Sequence, residues 1–291
     1  ALLALIQGAA ELLPVSSSAH VILAQRVMGM DPSRPEQVFL LVMLHTGTMF
    51  AVLVYFWPRW RRLWGPKNGT ATNGRGAEAG SLGQFLTLLI VATAVTGVVA
   101  LGLKFVIEHV ILVDILKRPK GEIEELFKYL PVVAAGLAAV GVLILAAGGR
   151  DSANTGRLTG GSAIWIGLVQ GFCVPFRGFS RSGATISTGL LRGASRAVCE
   201  DFSFALAVVL TPPAQAYSVY KLLKAHELSR STLMEVLVPG LVGMVFSFAA
   251  GFLALRFLSA VLERGRWKYF GFYCLAMAAV ILAANFLLPP A

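Results

Sequence analysis

Residues 7–20 read Q-G-A-A-E-L-L-P-V-S-S-S-A-H, and this polar run inside an apolar segment decides how the chain folds. A second polar run follows at residues 170–185, Q-G-F-C-V-P-F-R-G-F-S-R-S-G-A-T. The first run carries Glu11 and His20, and the second carries Arg181. A charged group at bilayer depth costs about 2.5–3.5 kcal/mol on insertion scales, so such groups are rare and usually functional. The two runs therefore predict an anion site built from two parts of the chain inside a membrane.

The composition around these runs is typical of a membrane protein. Hydrophobic residues make up 56% of the 291 residues and charged residues 14%, whereas a soluble domain has about 25% charged residues. The mean hydropathy is +0.73. Six uncharged runs approach the roughly 20 residues that cross a bilayer as a helix: 39–57, 85–103, 129–149, 202–220, 236–255 and 269–291. We therefore expect an all-α polytopic membrane protein with six transmembrane helices.

The net charge is +10, and its basic residues are spread among the loops. Basic loops of membrane proteins lie beside anionic headgroups. We therefore expect membrane lipids as partners, and not nucleic acid. The cysteines Cys173, Cys199 and Cys274 show no C-x-x-C spacing and predict neither a disulfide framework nor a zinc site. The sequence makes no prediction about the oligomeric state.

The two polar runs resemble each other and indicate an internal repeat. Residues 5–8 align with 168–171, and after a two-residue gap Ser17 aligns with Ser182. Each run is followed by three of the six apolar runs. The same order of elements predicts two copies of one unit, residues 1–150 and 151–291.

Each polar run is expected to form a re-entrant helical hairpin, over residues 1–28 and 158–193. Pro14 interrupts the first helix, and the serines after it are good caps for the next helix. Neither half is long enough to cross the bilayer, and irregular backbone at that depth requires a cavity or burial in protein. An alternative is that residues 158–176, which carry no charge, form a seventh crossing. The hairpin is favoured because the corresponding segment of the first unit, residues 1–28, is interrupted and cannot cross as one helix.

Three crossings in each unit predict an inverted-topology repeat. In such repeats broken helices from both halves meet near the midplane. Their N-termini carry partial positive charge and unpaired N–H groups, which suits an anion. The loop at 58–83 holds five basic residues against Glu78 alone, so the positive-inside rule places it in the cytoplasm and both termini outside.

The side chains of the two runs suit phosphate chemistry. Arg181 offers a planar cation for bidentate binding of phosphate. Ser17 and His20 are three residues apart, a spacing that puts a serine beside a base. Glu11 can act as a base or, with Gln7 one turn earlier, present oxygen to Mg²⁺ or Ca²⁺. Further hydroxyl groups can donate to phosphate oxygens: Ser16, Ser180, Ser182 and Thr185.

Structural explanations exist for the same residues. Glu11 can form a salt bridge with a neighbour, and His20 can be a satisfied core residue. Serines in transmembrane helices often bond to carbonyl groups or allow close helix packing. His45, inside the first apolar run, is expected to be a core residue, with a cavity-lining position as the alternative.

With these motifs the chain resembles the undecaprenyl-diphosphatases, also called bacitracin-resistance proteins. The first motif of that family, Glu/Gln-x-x-x-Glu followed by Pro-Val-Ser-Ser and a nearby His, corresponds to Gln7, Glu11, Pro14, Val15, Ser16, Ser17 and His20. The second, Pro-Gly-x-Ser-Arg-Ser-x-x-Thr, corresponds to residues 177–185. Arg177 replaces its opening proline, and either adds charge to the phosphate pocket or changes the turn and the substrate preference.

The resemblance implies a multi-pass hydrolase of the bacterial plasma membrane. It implies removal of one phosphate from undecaprenyl diphosphate, which regenerates the lipid carrier of cell-wall synthesis, in a site open to the periplasm. A transporter or flippase for a phosphate-bearing polyprenyl lipid is the alternative, because inverted repeats are common in transporters.

The resemblance also implies roles for single residues. Ser17 is the expected nucleophile and His20 the proton-transfer group. Glu11 and Gln7 are expected to hold water or a divalent cation, Mg²⁺ or Ca²⁺. Arg181 is expected to hold the phosphate together with Ser180 and Thr185.

Overall fold

The computed structural model describes residues 1–30, 34–62, 81–109, 129–149, 156–224 and 230–287, and these residues are almost entirely helical. The helices are α1 (Leu2–Leu12), α2 (Ser17–Val27), α3 (Pro35–Arg61), α4 (Leu82–Phe105), α5 (Leu130–Gly148), α6 (Gly160–Cys173), α7 (Arg181–Leu191), α8 (Arg196–Lys224), α9 (Arg230–Glu263) and α10 (Lys268–Leu287). The described part of the chain contains no strand, only a single bridge between Gly156 and Ala194. The predicted all-α class is confirmed.

Six of the described helices are long and apolar enough to cross a membrane, as predicted. They are α3, α4, α5, α8, α9 and α10. Their outward faces are apolar: Ile90, Val98 and Leu101 of α4 are 69%, 74% and 70% exposed. Side chains of this kind are stable on an outer surface when lipid covers them.

The shorter helices α1, α2, α6 and α7 form two broken pairs. The apolar run at 158–176, the alternative seventh crossing, contains α6 of 14 residues. At 1.5 Å per residue this helix extends about 21 Å, which is less than the roughly 30 Å of a hydrocarbon core. The length of α6 therefore does not support a seventh crossing.

Serine caps begin the second helix of each broken pair. Ser16 Oγ accepts from the N–H of Ala19 at 3.4 Å, and Ser180 Oγ accepts from the N–H of Gly183 at 3.4 Å. Ser16 has φ +65°, a conformation that is uncommon outside glycine. In the other pair, Gly178 has φ +96°.

The two breaks lie in direct contact. Ser182 Oγ donates to the carbonyl oxygen of Leu13 at 3.1 Å. The N–H of Gly178 donates to Ser18 Oγ at 3.2 Å. The start of α7 is therefore joined to the break after α1, and the break after α6 is joined to the start of α2.

Each broken pair packs against a long helix of the other half of the chain. Helix α1 packs on α9, and α6 packs on α4. Glycine permits both approaches: a Cβ on Gly8 would lie 2.5 Å from the carbonyl oxygen of Ser247, and one on Gly167 would lie 2.6 Å from that of Ala92. The two halves are therefore interlocked through their short helices.

Helices α3 and α8 run in opposite directions. Arg59, near the end of α3, donates from Nη1 to Glu200 Oε2 at 2.9 Å and to Asp201 Oδ1 at 3.2 Å, near the start of α8. Ser259 of α9 donates to the buried carboxylate of Glu200, and Tyr55 donates to Ser259 Oγ at 2.8 Å. Because the ions are paired and hydrogen-bonded, this cluster tolerates burial and joins α3, α8 and α9.

Candidate functional site

A cavity of about 360 Å³ opens where the two broken pairs meet α3 and α8. Its volume lies within the range of small-molecule sites. Val38 and His45 of α3 line it, as do Gln215 and Ser218 of α8. The broken pairs contribute the polar side chains of its wall: Gln7, Glu11, Ser16, Ser17, Ser18, Arg177, Ser180 and Arg181.

The cavity wall includes a residue well inside a helix that can cross a membrane. His45 lies ten residues after Pro35, the first residue of α3, which corresponds to about 15 Å along the helix. Helix α3 is long and apolar enough to span a bilayer. An ionisable side chain inside such a helix is usually functional.

Glu11 is the centre of the polar wall. Its Oε2 accepts from Gln7 Nε2 at 3.1 Å and from Ser17 Oγ at 2.5 Å. Its Oε1 accepts from Arg181 Nη2 at 3.2 Å. The carboxylate, the serine and the arginine that the two motifs supply are thus brought together.

The hydroxyl group of Ser17 lies beside a hydrogen-bond acceptor at the start of a helix. Ser17 is the first residue of α2, so the partial positive charge of the helix N-terminus lies beside its hydroxyl group. The short hydrogen bond to Glu11 gives the hydroxyl proton an acceptor, which is the arrangement of a nucleophile with its base.

Arg181 offers an unused donor group. It begins α7, and only its Nη2 bonds to Glu11. Its Nη1 is buried and has no hydrogen-bond partner among the described residues. Buried polar groups are normally satisfied, so Nη1 is available to an anion in the cavity. Ser180 and Arg177 line the same wall.

Two predicted phosphate-binding residues do not line the cavity. Ser182 bonds to Leu13 across the two breaks. Thr185 lies on the face of α7 that packs against α8. Its Oγ1 lies 2.6 Å from Ser203 Oγ on α8 and donates to the carbonyl oxygen of Arg181 at 2.8 Å. In this geometry both residues hold α7 in place.

His20 also lies outside the cavity wall. Its Nδ1 donates to the carbonyl oxygen of Ser16 at 2.8 Å. Its Nε2 lies 2.7 Å from the hydroxyl group of Tyr273, and the two rings are stacked at 5.7 Å. Both ring nitrogens are therefore engaged, and the predicted role of His20 in proton transfer stays a prediction.

His45 is the imidazole that faces the site. Its Nε2 lies 3.5 Å from Glu11 Oε2, and its Nδ1 donates to the carbonyl oxygen of Leu41 at 2.7 Å. The sequence favoured a core position for His45, with a cavity-lining position as the alternative, and the structure places it in the cavity wall. The available signal was an ionisable side chain inside an apolar membrane helix.

The predicted divalent cation does not fit the donor set around Glu11. The described residues contain no group of three or more His, Cys, Asp or Glu side chains that could hold a metal ion. Mg²⁺ and Ca²⁺ require oxygen ligands, whereas the neighbours of the Glu11 oxygens are hydrogen-bond donors and the Arg181 guanidinium group.

Fold and site together define a class: a polytopic α-helical membrane protein with a cavity lined by serine, carboxylate and guanidinium groups. A sequence profile of the family described as bacitracin resistance protein BacA matches residues 1–280. The chain belongs to that family, and the predicted family is confirmed.

Named relatives agree with this assignment. The chain is 51% identical over 285 residues to undecaprenyl-diphosphatase 2 of Acinetobacter baylyi, covering 97% of this chain and 95% of the relative. It is 35% identical to undecaprenyl-diphosphatase of Desulfosudis oleivorans, covering 96% and 95%. It is 30% identical to undecaprenyl-diphosphatase of Bdellovibrio bacteriovorus, covering 97% and 93%.

Proposed function

We propose that this chain is a membrane hydrolase that converts undecaprenyl diphosphate to undecaprenyl phosphate and inorganic phosphate. The family and the names of its relatives support this activity. The observation that carries it is the hydrogen bond from Ser17 Oγ to Glu11 at 2.5 Å, beside the unpartnered Nη1 of Arg181. The product is the lipid carrier that cell-wall synthesis uses again.

In the proposed first step, Ser17 Oγ attacks the terminal phosphorus atom and Glu11 accepts the hydroxyl proton. The bond from that phosphorus to the bridging oxygen breaks, and undecaprenyl phosphate leaves with the bridging oxygen. Water then attacks the phosphoserine, which releases inorganic phosphate and restores the hydroxyl group of Ser17. Phosphoryl transfer depends chiefly on positioning and charge stabilisation.

Positive charge in the cavity stabilises the transferred group. Arg181 Nη1 binds its oxygens, and Ser16, Ser180 and Arg177 line the space around it. The N-termini of α2 and α7 add backbone N–H groups with partial positive charge. A lipid pyrophosphate suits this site because its headgroup can enter the polar cavity. Its apolar tail can stay in the bilayer, against the apolar outer surface of the helix bundle.

We further propose the predicted topology for this chain, with units 1–150 and 151–291 as an inverted repeat and with re-entrant hairpins at 1–28 and 158–193. The opposite directions of α3 and α8 support it, because these are the first long helices of the two units. The cavity is lined by Val38, Leu41 and His45 in the first half of α3, whereas the basic residues Arg59, Arg61 and Arg62 lie at the other end of that helix. The positive-inside rule then makes the cavity face the periplasm of a bacterial plasma membrane.

The test is phosphate release from undecaprenyl diphosphate by the purified full-length protein in detergent. We expect Ser17→Ala to lower kcat by about a thousandfold because the nucleophile is lost. Thr46→Val is the matched control, because the Thr46 hydroxyl bonds only within α3, to the carbonyl oxygen of Val42, and should leave kcat unchanged. Full activity of a folded Ser17→Ala protein would contradict the assigned nucleophile.

A further inference from the structure

We propose that the site hydrolyses its substrate without a resident divalent cation, because the groups that surround Glu11 are hydrogen-bond donors and the Arg181 guanidinium group, not oxygen ligands. This inference rests on the proposed hydrolase function. The sequence predicted a divalent cation at Gln7 and Glu11. The groups that surround the Glu11 carboxylate in the structure favour a site without one.

Gln7 cannot turn its carbonyl oxygen toward Glu11. A carboxylate oxygen only accepts hydrogen bonds, so the group of Gln7 that lies 3.1 Å from Oε2 is the NH₂ group. Two carboxylates one turn apart would present four oxygens to a cation. This chain instead has a glutamine that donates to the only carboxylate of the pair.

His45 lies beside the same oxygen. Its Nδ1 faces the carbonyl oxygen of Leu41 at 2.7 Å, and a carbonyl oxygen cannot donate, so Nδ1 carries a proton. Its Nε2 lies 3.5 Å from Glu11 Oε2. The imidazole therefore occupies the Oε2 side of the carboxylate, as Arg181 occupies the Oε1 side.

A divalent cation at Glu11 would displace these partners. Oε1 is engaged by Arg181 and Oε2 by Ser17, Gln7 and His45. A cation bound there would lie within a few ångströms of the Arg181 guanidinium group, where like charges repel by several kcal/mol at the dielectric of a partly buried site. The same carboxylate would then have to serve both cations. The charge that a metal would supply to phosphate oxygens is already present as Arg181.

Two measurements test the inference. The first compares phosphate release from undecaprenyl diphosphate in excess EDTA, in Mg²⁺ and in Ca²⁺. We expect the rates to agree within about twofold, because no ion is lost to the chelator. The second measures binding of Ca²⁺ to the substrate-free protein by titration calorimetry. We expect no saturable heat at millimolar Ca²⁺.

The double variant Gln7→Glu/His45→Gln provides the oxygen ligands that a divalent cation requires. It creates two carboxylates one helical turn apart and removes the facing imidazole. We expect it to bind Ca²⁺ and to release phosphate at least about tenfold faster with Mg²⁺ than in EDTA. Thr46→Val, next to His45 on α3, is the control and should behave as the wild type in both measurements.

The outcomes separate this inference from the proposed function. A wild-type rate that falls more than about tenfold in EDTA and returns with Mg²⁺ overturns the inference while supporting the hydrolase. Saturable Ca²⁺ binding to the wild type that disappears in Glu11→Gln also overturns it. If no condition releases phosphate, the proposed function fails, and the calorimetry alone decides whether the site holds a cation. These wild-type results stand even if the double variant does not fold.

Discussion

Arg181 has two tasks that a guanidinium group can combine. Its Nη2 bonds to Glu11 at 3.2 Å, while its buried Nη1 has no partner among the described residues. A planar fork can hold a carboxylate on one side and a phosphate on the other, whereas an ammonium group is a single point of charge. The shape of the side chain therefore matters as much as its charge.

The first prediction concerns this fork. We expect Arg181→Lys to lower kcat/KM for undecaprenyl diphosphate by about ten- to a hundredfold, because one ammonium group cannot serve both partners. Steady-state phosphate release measures it. Arg192→Lys, at the other end of α7 and exposed, is the control and should leave kcat/KM unchanged. Equal activity of Arg181→Lys and wild type would show that bidentate geometry is not required.

The sequence located some of these residues better than others. The approach of Glu11, Ser17 and Arg181 was predictable because each lies in a motif with its own helix break. The partner of His20 was not, because Tyr273 lies 253 residues away. His45 belongs to no motif and lies in a largely apolar helix, and its contact with Glu11 depends on how α3 packs on α1. Which face Ser182 and Thr185 present also depends on packing, because α7 is buried on nearly every side.

At the scale of elements, the turn between α6 and α7 is held against α5. Gly178 has φ +96°, and a Cβ there would lie 2.1 Å from the carbonyl oxygen of Val133. That turn also carries the N–H that bonds to Ser18. Glycine is required both by the backbone angle and by the close approach.

The second prediction follows from that contact. We expect Gly178→Ala to destabilise the protein by at least about 2 kcal/mol, because the turn must move away from α5. Thermal unfolding in detergent measures the change. Gly97→Ala on α4 is the control: a Cβ there meets nothing within 4 Å, so stability should change by less than about 1 kcal/mol. A Gly178→Ala protein as stable as the wild type would contradict the described turn.

The third prediction distinguishes two roles of Thr185. In the structure its hydroxyl group lies 2.6 Å from Ser203 of α8. Thr185→Val keeps the shape and removes the hydrogen bond, so we expect a loss of about 1–2 kcal/mol of stability with KM changed by less than about twofold. A rise in KM without a loss of stability would instead support the phosphate-binding role that the sequence suggested.

For the whole molecule, the sequence predicted six crossings because uncharged runs of about 20 residues are a strong signal. It could not specify how the halves interlock, because the contacts of α1 with α9 and of α6 with α4 join segments far apart in the chain. The proposed sidedness of the bundle rests on the loop charges and on the half of α3 that lines the cavity.

The fourth prediction tests that sidedness. Arg34 and Arg62 lie at the two ends of α3, so one crossing separates them. In a background with alanine at Cys173, Cys199 and Cys274, we expect Arg34→Cys to react with an impermeant maleimide on intact spheroplasts. Arg62→Cys should react only after the membrane is opened. The reverse pattern would place the cavity on the cytoplasmic side.

The ion cluster of Arg59, Glu200 and Asp201 has a consequence for how the products depart. It joins α3, α8 and α9 at the end away from the half of α3 that lines the cavity. We therefore expect the freed phosphate to return through the entrance by which the headgroup came in, while the lipid diffuses away within the bilayer. One product is thus released into water, and the other stays in the membrane.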